Sequence, residues 1–262
     1  MRSSIGTIVD KMDPSQHPCS VFTTDDKQAN MRDEYFLDSS DKISFFYEAN
    51  AVDKDGKLLV DKHHAFNKIG HGLHIHDKVF KRNTFSDKVK ALARALKFSD
   101  PAVVQSMYIF KSPRIGGAVT AHIDATFLYV EPIEHLVGFW IPLEDATPEN
   151  GCLSFIPGSH KVSEMRYRFV RNPPGSDKLL SFRGEKPAHW SEDSKFVAVP
   201  VKKGSCVLIH GLVVHKSEPN TSPNSRHVYT FHVVEQEGTK WSPENWLQLQ
   251  EGQEFPSLYN FS

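Results

Sequence analysis

His122-Ile123-Asp124 and, 93 residues after His122, the end of the run Cys206-Val207-Leu208-Ile209-His210-Gly211-Leu212-Val213-Val214-His215 decide how this chain is read. On an extended strand, residues two apart project to one face, so His122 and Asp124 can grip one ion together. The apolar run reads as a second strand, 206–215, that delivers the imidazole of His215 to its end. Two imidazoles and one carboxylate form the facial triad suited to non-haem Fe(II), with three coordination positions left open for chemistry. Arg226 follows 11 residues after His215. Its planar fork of donors can hold the far carboxylate of an organic acid whose other end chelates the metal. In a chain with 14 histidines and 32 acidic residues a His-x-Asp pair alone says little. The two strand contexts and the trailing arginine make the set specific. A zinc hydrolase, or a non-catalytic sensor of metal and oxo-acid, would use the same three ligands; a hydrolase, however, has no need of an organic-acid anchor.

Outward from these stretches, the region after residue 101 has the texture of short alternating strands bounded by Gly, Pro and Asn. Eight are expected, at 103–110, 119–124, 127–130, 137–143, 151–156, 196–200, 206–215 and 226–234. They make a mainly β fold with flanking helices, a double-stranded β-helix (jelly-roll, cupin-like). Strand parity puts Arg226, Val228 and Thr230 on one face and places Ser217 on the face of His215, where its hydroxyl could donate to the carboxylate held by Arg226. Ser217 can equally be a turn residue before Pro219. The segment 161–195 is a long polar excursion with Arg166, Arg168, Arg171, Arg183 and Lys186 around Pro173-Pro174-Gly175. It is expected either to be a solvated loop or to close over the metal with its arginines selecting an anionic substrate.

The first hundred residues form a mixed flank. A helix over 1–12 is stopped by Asp13-Pro14. Asp53-Lys54-Asp55-Gly56-Lys57 reads as a hairpin turn between 45–48 and 58–60. Val89, Leu92, Ala93 and Leu96 mark an amphipathic helix over 87–98. The expected organisation is one domain over 1–262, with a flank to 100, a core over 101–235 and a tail over 236–262.

A net charge of -1, from 31 basic and 32 acidic residues, provides no field for nucleic acid or an anionic membrane. Three widely spaced cysteines argue against a disulfide framework or structural zinc, and Cys152 and Cys206 read as small buried hydrophobes. No stretch approaches the length of a membrane span, and no secretory pattern opens the chain. The expectation is a cytoplasmic monomer. Gly70-His71-Gly72 lacks the third glycine of a dinucleotide loop. His71, His74 and His76 with Asp77 resemble a second metal cluster, but no strand or helix parity aligns them. His160 and His210 are expected in loop bonding and packing.

Gly116-Gly117-Ala118-Val119-Thr120-Ala121-His122-Ile123-Asp124, Glu144-Asp145-Ala146-Thr147-Pro148-Glu149-Asn150-Gly151-Cys152-Leu153 and Pro157-Gly158-Ser159-His160, with His215 and Arg226, resemble the phytanoyl-CoA dioxygenase family. Gln105–Phe110, Asn67–His71 and Trp241–Leu247 extend the likeness over nearly the whole chain. The resemblance implies an Fe(II)- and 2-oxoglutarate-dependent dioxygenase, stimulated by ascorbate, that uses molecular oxygen on a small-molecule substrate. It implies that Lys68, Met107 and Trp140 join His122, Asp124, Ser217 and Arg226 around the co-substrate. Related halogenases replace the carboxylate ligand with a small residue, so Asp124 favours hydroxylation. Members usually begin with a strand and an acidic helix, whereas this chain opens at Met1-Arg2-Ser3-Ser4-Ile5, within the expected helix. The family name suggests an acyl-CoA substrate, yet fold does not fix substrate.

Overall fold

A computed structural model describes residues 1–22, 33–161 and 165–261. In chain order the strands are β1 (Val21–Phe22), β2 (Ile43–Glu48), β3 (Phe66–His71), β4 (Pro101–Ile109), β5 (Val119–His122), β6 (Val130–Glu131), β7 (Leu136–Pro142) and β8 (Leu153–Phe155). They continue with β9 (Tyr167–Arg171), β10 (Leu180–Gly184), β11 (Val197–Val199), β12 (Val207–His210), β13 (His215–Ser217), β14 (Val228–Glu235) and β15 (Lys240–Trp241). The helices are α1 (Arg2–Lys11), α2 (Glu34–Leu37), α3 (Leu73–His76), α4 (Lys78–Thr84) and α5 (Asp87–Ala95).

A seven-stranded sheet in the order β1-β2-β3-β4-β14-β7-β12 faces a four-stranded sheet in the order β11-β8-β13-β5. This is the double-stranded β-helix. The central strand β14 is buried along its whole length, and its alternation divides the work. Tyr229, Phe231 and Val233 face a core shared with Ile5 and Val9 of α1, Phe80 of α4, and Val89 and Ala93 of α5. Phe231 stacks on Phe139 with centroids 4.8 Å apart. Thr230 and His232 point the other way, into a cavity between the two sheets. Leu96 lies beyond α5 and is exposed.

The run 206–215 is not one strand. Val207–His210 pairs with β7 in the large sheet, whereas His215–Ser217 pairs with β5 and β8 in the small one. Gly211 makes the crossing, with its N–H on Leu136 O at 2.9 Å and its carbonyl accepting from Ala125 N. A Cβ at Gly211 would sit 2.9 Å from that of Leu136, so the chain needs glycine to pass here. The run looked continuous because its apolar content persists across the crossing. Likewise, 127–130 contributes only Val130–Glu131 as strand, because Asp124–Thr126 forms a 3-10 turn whose Asp124 carbonyl takes the N–H groups of Phe127 and Leu128. Cys152 is buried, but Cys206, at the start of an edge strand, is exposed.

In the flank, the turn over Asp53–Lys57 forms, with Gly56 at φ +79°. Its expected hairpin does not: Leu58 makes an isolated bridge to Val52 and Leu59 is 61% exposed. The partner of β2 is β3, whose polar residues obscured it as a strand.

Candidate metal and co-substrate site

The end of β5, the 3-10 turn after it and the start of β13 converge. The register pairs His215 directly with His122. Asp124 Oδ1 lies 3.6 Å from His122 Nε2 and 3.5 Å from His215 Nε2. Ligand atoms from these three residues fall within 4.8 Å of one another, a grouping that no other His, Cys, Asp or Glu set matches among the described residues. Both imidazoles are set by the backbone. His122 Nδ1 donates to Thr120 O at 2.7 Å and His215 Nδ1 to Val213 O at 3.0 Å. That fixes the tautomer and leaves each Nε2 lone pair free for a metal.

His232, on β14, supplies the next layer. Its Nε2 lies 3.2 Å from Asp124 Oδ2, and Gln105 Nε2 lies 3.2 Å from its Nδ1. With the amide donating to Nδ1, the His232 proton is on Nε2, close beside Asp124 Oδ2, which makes no hydrogen bond among the described residues. Gly138 admits this packing: a Cβ there would sit 3.1 Å from Asp124 Oδ2 and 3.3 Å from His232 Nε2. Burial alone would raise the Asp124 carboxyl, but His232, His215 and His122 around it hold it well below the usual carboxylate range. Burial, aided by His122, pushes His215 down to about 4, so it is neutral near pH 7, as a ligand must be.

The other end of the cavity is cationic. Arg226 is 1% exposed and Lys111 2%. Arg226 Nε and Nη1 have no hydrogen-bond partner among the described residues. Burial lowers the guanidinium to about 10, and burial with Arg226 nearby holds Lys111 well below the lysine range. Unpaired buried donors of this kind are costly, and an anion supplied from outside would satisfy them. The Lys111 ammonium donates to Gly117 O at 2.7 Å. Between the two ends, the register Met107↔Thr230↔Trp140 builds a wall, and the Arg226 guanidinium sits 5.1 Å from the Trp140 ring centroid. The cavity measures about 190 Å³ and borders the three metal-site residues, Lys68, Met107, Trp140, Ser217 and Arg226.

Ser217 and Lys68 both border the cavity with the expected co-substrate residues. Ser217 lies on the wall as parity placed it, and its hydroxyl donates to Gly151 O at 2.8 Å. Lys68 lies over the Phe22 ring, 3.4 Å from the centroid, and burial pulls it down to about 7.

The excursion 161–195 is a β9–β10 hairpin followed by two 3-10 turns, apart from residues 162–164, which lie outside the described residues. It does border the cavity, through Tyr167, Phe169, Phe182 and Lys186. Arg168, Arg171 and Arg183 do not follow the expectation. Arg168 bonds Glu244, Ser242 and Asn245, Arg171 donates to Trp246 O at 2.7 Å, and Arg183 pairs with Glu244 at 2.5 Å. Strand alternation turns Arg168 away from Tyr167 and Phe169, and Arg183 away from Phe182; Arg171 shares the face of Phe169 but lies at the end of β9, where it holds the Trp246 carbonyl.

His74, His76, His160 and His210 are structural. His74 Nδ1 meets Ser106 Oγ at 2.8 Å, His76 reaches Asp41 O, and Asp77 caps α4. His160 and His210 pack ring to ring at 5.1 Å. His232 and Lys111 were overlooked in the sequence. Counting by twos from Arg226 through Val228 and Thr230 reaches His232; for Lys111 no comparable pattern exists.

The chain is 57% identical over 261 residues to phytanoyl-CoA dioxygenase domain-containing protein 1 homolog of Caenorhabditis elegans, covering 99% of this chain and 90% of that one. The solved epimerase SnoN, in complex with Fe3+, alpha ketoglutarate and nogalamycin RO, shares the fold at a TM-score of 0.54 and 18% identity, over 74% of this chain and 79% of that one. EctD from S. alaskensis, solved with 2-oxoglutarate and 5-hydroxyectoine, matches at a TM-score of 0.53 and 21% identity, over 72% of this chain and 61% of that one. The family model for phytanoyl-CoA dioxygenase (PhyH) matches residues 19–228, a span that holds His122, Asp124, His215 and Arg226, and the chain belongs to the phytanoyl-CoA dioxygenase family.

Proposed function

We propose that the protein is an Fe(II)- and 2-oxoglutarate-dependent dioxygenase that hydroxylates a small organic substrate. The observation that carries this is the pairing, in one cavity, of a His-Asp-His metal group with a buried arginine whose Nε and Nη1 are unpartnered. His122, Asp124 and His215 would hold the iron by three positions and leave three open. Arg226 and Lys111 would neutralise the far carboxylate of the oxo-acid, and Trp140, Met107 and Thr230 would bound its chain.

When bound, Fe(II) supplies the redox chemistry by which 2-oxoglutarate and oxygen become succinate and carbon dioxide, one oxygen atom going to succinate and the other to the product hydroxyl. The protein's residues bind, orient and exclude water. His232 packs against Asp124 Oδ2, and Oδ1, the oxygen near both imidazoles, would be the one to hold the ion. Backbone carbonyls keep the imidazole rings from turning. Phe127, Phe169 and Phe182 make the substrate side of the site apolar, which keeps water from a reactive centre. Asp124 favours hydroxylation over halogenation.

A zinc hydrolase has no use for a buried guanidinium beside the ligands. A sensor does, so turnover must decide. Purified protein with Fe(II), ascorbate and 2-oxoglutarate should release succinate in an iron-dependent manner, and protein that binds 2-oxoglutarate tightly but forms none would be a sensor.

A further inference from the structure

His71, on β3, is fully buried and borders the cavity, yet it belongs to neither the metal group nor the cationic end. Its environment defines which nitrogen is free. Ser39 Oγ donates to Phe36 O at 2.6 Å, so the same oxygen can only accept from His71 Nδ1, 2.8 Å away. The ring proton is therefore on Nδ1. Nε2 is left as a bare acceptor, and it has no partner among the described residues. A buried acceptor without a donor costs stability unless something supplies one.

The surroundings are aromatic. The Trp246 ring stands edge-on to His71 with centroids 4.9 Å apart, and Phe36 does so at 5.7 Å. Arg171 fixes Trp246 through its carbonyl, so the segment that closes this wall is held in place. Lys68 shares the wall, with its Nζ over the Phe22 ring at 3.4 Å and 5.4 Å from the centroid of Phe36.

We propose that His71 Nε2 is a substrate-positioning acceptor, and that the substrate presents a neutral planar group with an N–H or O–H donor to it, of the carboxamide or lactam class. This rests on the oxygenase reading of the same cavity. A carboxylate would put negative charge against a bare lone pair. A thioester carbonyl has no donor to offer. An amide offers N–H to His71, its carbonyl oxygen suits an ammonium such as that of Lys68, and its flat body suits Trp246 and Phe36.

The test compares benzamide with benzoate, probes of one shape and opposite match. Zinc-substituted protein holding 2-oxoglutarate, with histidine nitrogens labelled, is titrated with each and followed by NMR. Benzamide should bind about three- to tenfold more tightly than benzoate, the range one hydrogen bond provides, and should move the His71 Nε2 resonance upfield as it accepts a bond. His71→Phe should lose that preference and His71→Gln, which keeps an acceptor, should restore part of it. The wild-type resonance needs no variant, so a variant that fails to fold leaves the test intact. Preferential binding of benzoate, or benzamide binding that leaves Nε2 unmoved, overturns the proposal. Calorimetry of 2-oxoglutarate alone keeps the two readings apart: if 2-oxoglutarate binds and benzamide does not perturb His71, the inference fails and the oxygenase reading stands. If benzamide perturbs His71 but 2-oxoglutarate does not bind, the reverse holds.

Discussion

The two ends of the cavity solve opposite problems. At one end Arg226 and Lys111 are buried cations with no carboxylate bonded to either among the described residues, an arrangement that stores unmet donors for a ligand. Where the hairpin β9–β10 borders the other end, three of its arginines are spent. Arg168, Arg171 and Arg183 bond the segment 242–246, and only their aromatic neighbours and Lys186 reach the cavity. Charge density in a sequence therefore does not locate an anion site. A buried arginine with open valences does, and an arginine committed to its own chain builds a wall.

The comparison breaks first at the metal. His122→Ala, Asp124→Ala and His215→Ala should each abolish iron retention and turnover, because two remaining ligands hold Fe(II) poorly, while circular dichroism shows an intact fold. Near-normal turnover of any one at saturating iron removes that residue from the triad. Next, Arg226→Lys should raise the 2-oxoglutarate requirement roughly ten- to a hundredfold with iron binding unchanged, since a point charge cannot make two parallel bonds, and a lost charge-assisted bond costs about 1.5–3 kcal/mol. Steady-state KM for 2-oxoglutarate reads it. His232→Leu should weaken Fe(II) binding by about tenfold or more through the freed Asp124 carboxylate, measured by competition with a chelator. The smallest effect belongs to the lid. Arg168→Gln should cost no more than about 1 kcal/mol, because Glu244 is partly exposed and screened, and it should leave iron and 2-oxoglutarate binding untouched. A large loss of 2-oxoglutarate affinity in this variant would return the lid arginines to the anion site.

Much of this was legible in the sequence because it follows strand periodicity. His122 and Asp124 two apart, the apolar run before His215, and Arg226 two residues before a central strand announce themselves locally, although β5 ends at His122 and Asp124 opens the 3-10 turn after it. What escaped was non-local. Nothing in the run 206–215 marks the change of sheet except Gly211, whose need for space depends on Leu136 across the fold. β3 was hidden because its polar residues face a cavity that exists only once β4 and β14 are paired. Ser217 was placed on the correct wall by parity, but the Gly151 carbonyl that takes its proton lies 66 residues away. The lid arginines misled because charge, unlike alternation, carries no direction.

The central claim is that the triad and Arg226 grip two ends of one oxo-acid. Fe(II)-loaded protein titrated with 2-oxoglutarate in the absence of oxygen should develop a visible charge-transfer absorption, which requires the keto and carboxylate oxygens on iron. Arg226→Lys should reach the same final absorption at roughly ten- to a hundredfold higher concentration. An absorption that never forms, or one that forms at the same concentration in both proteins, would contradict the account.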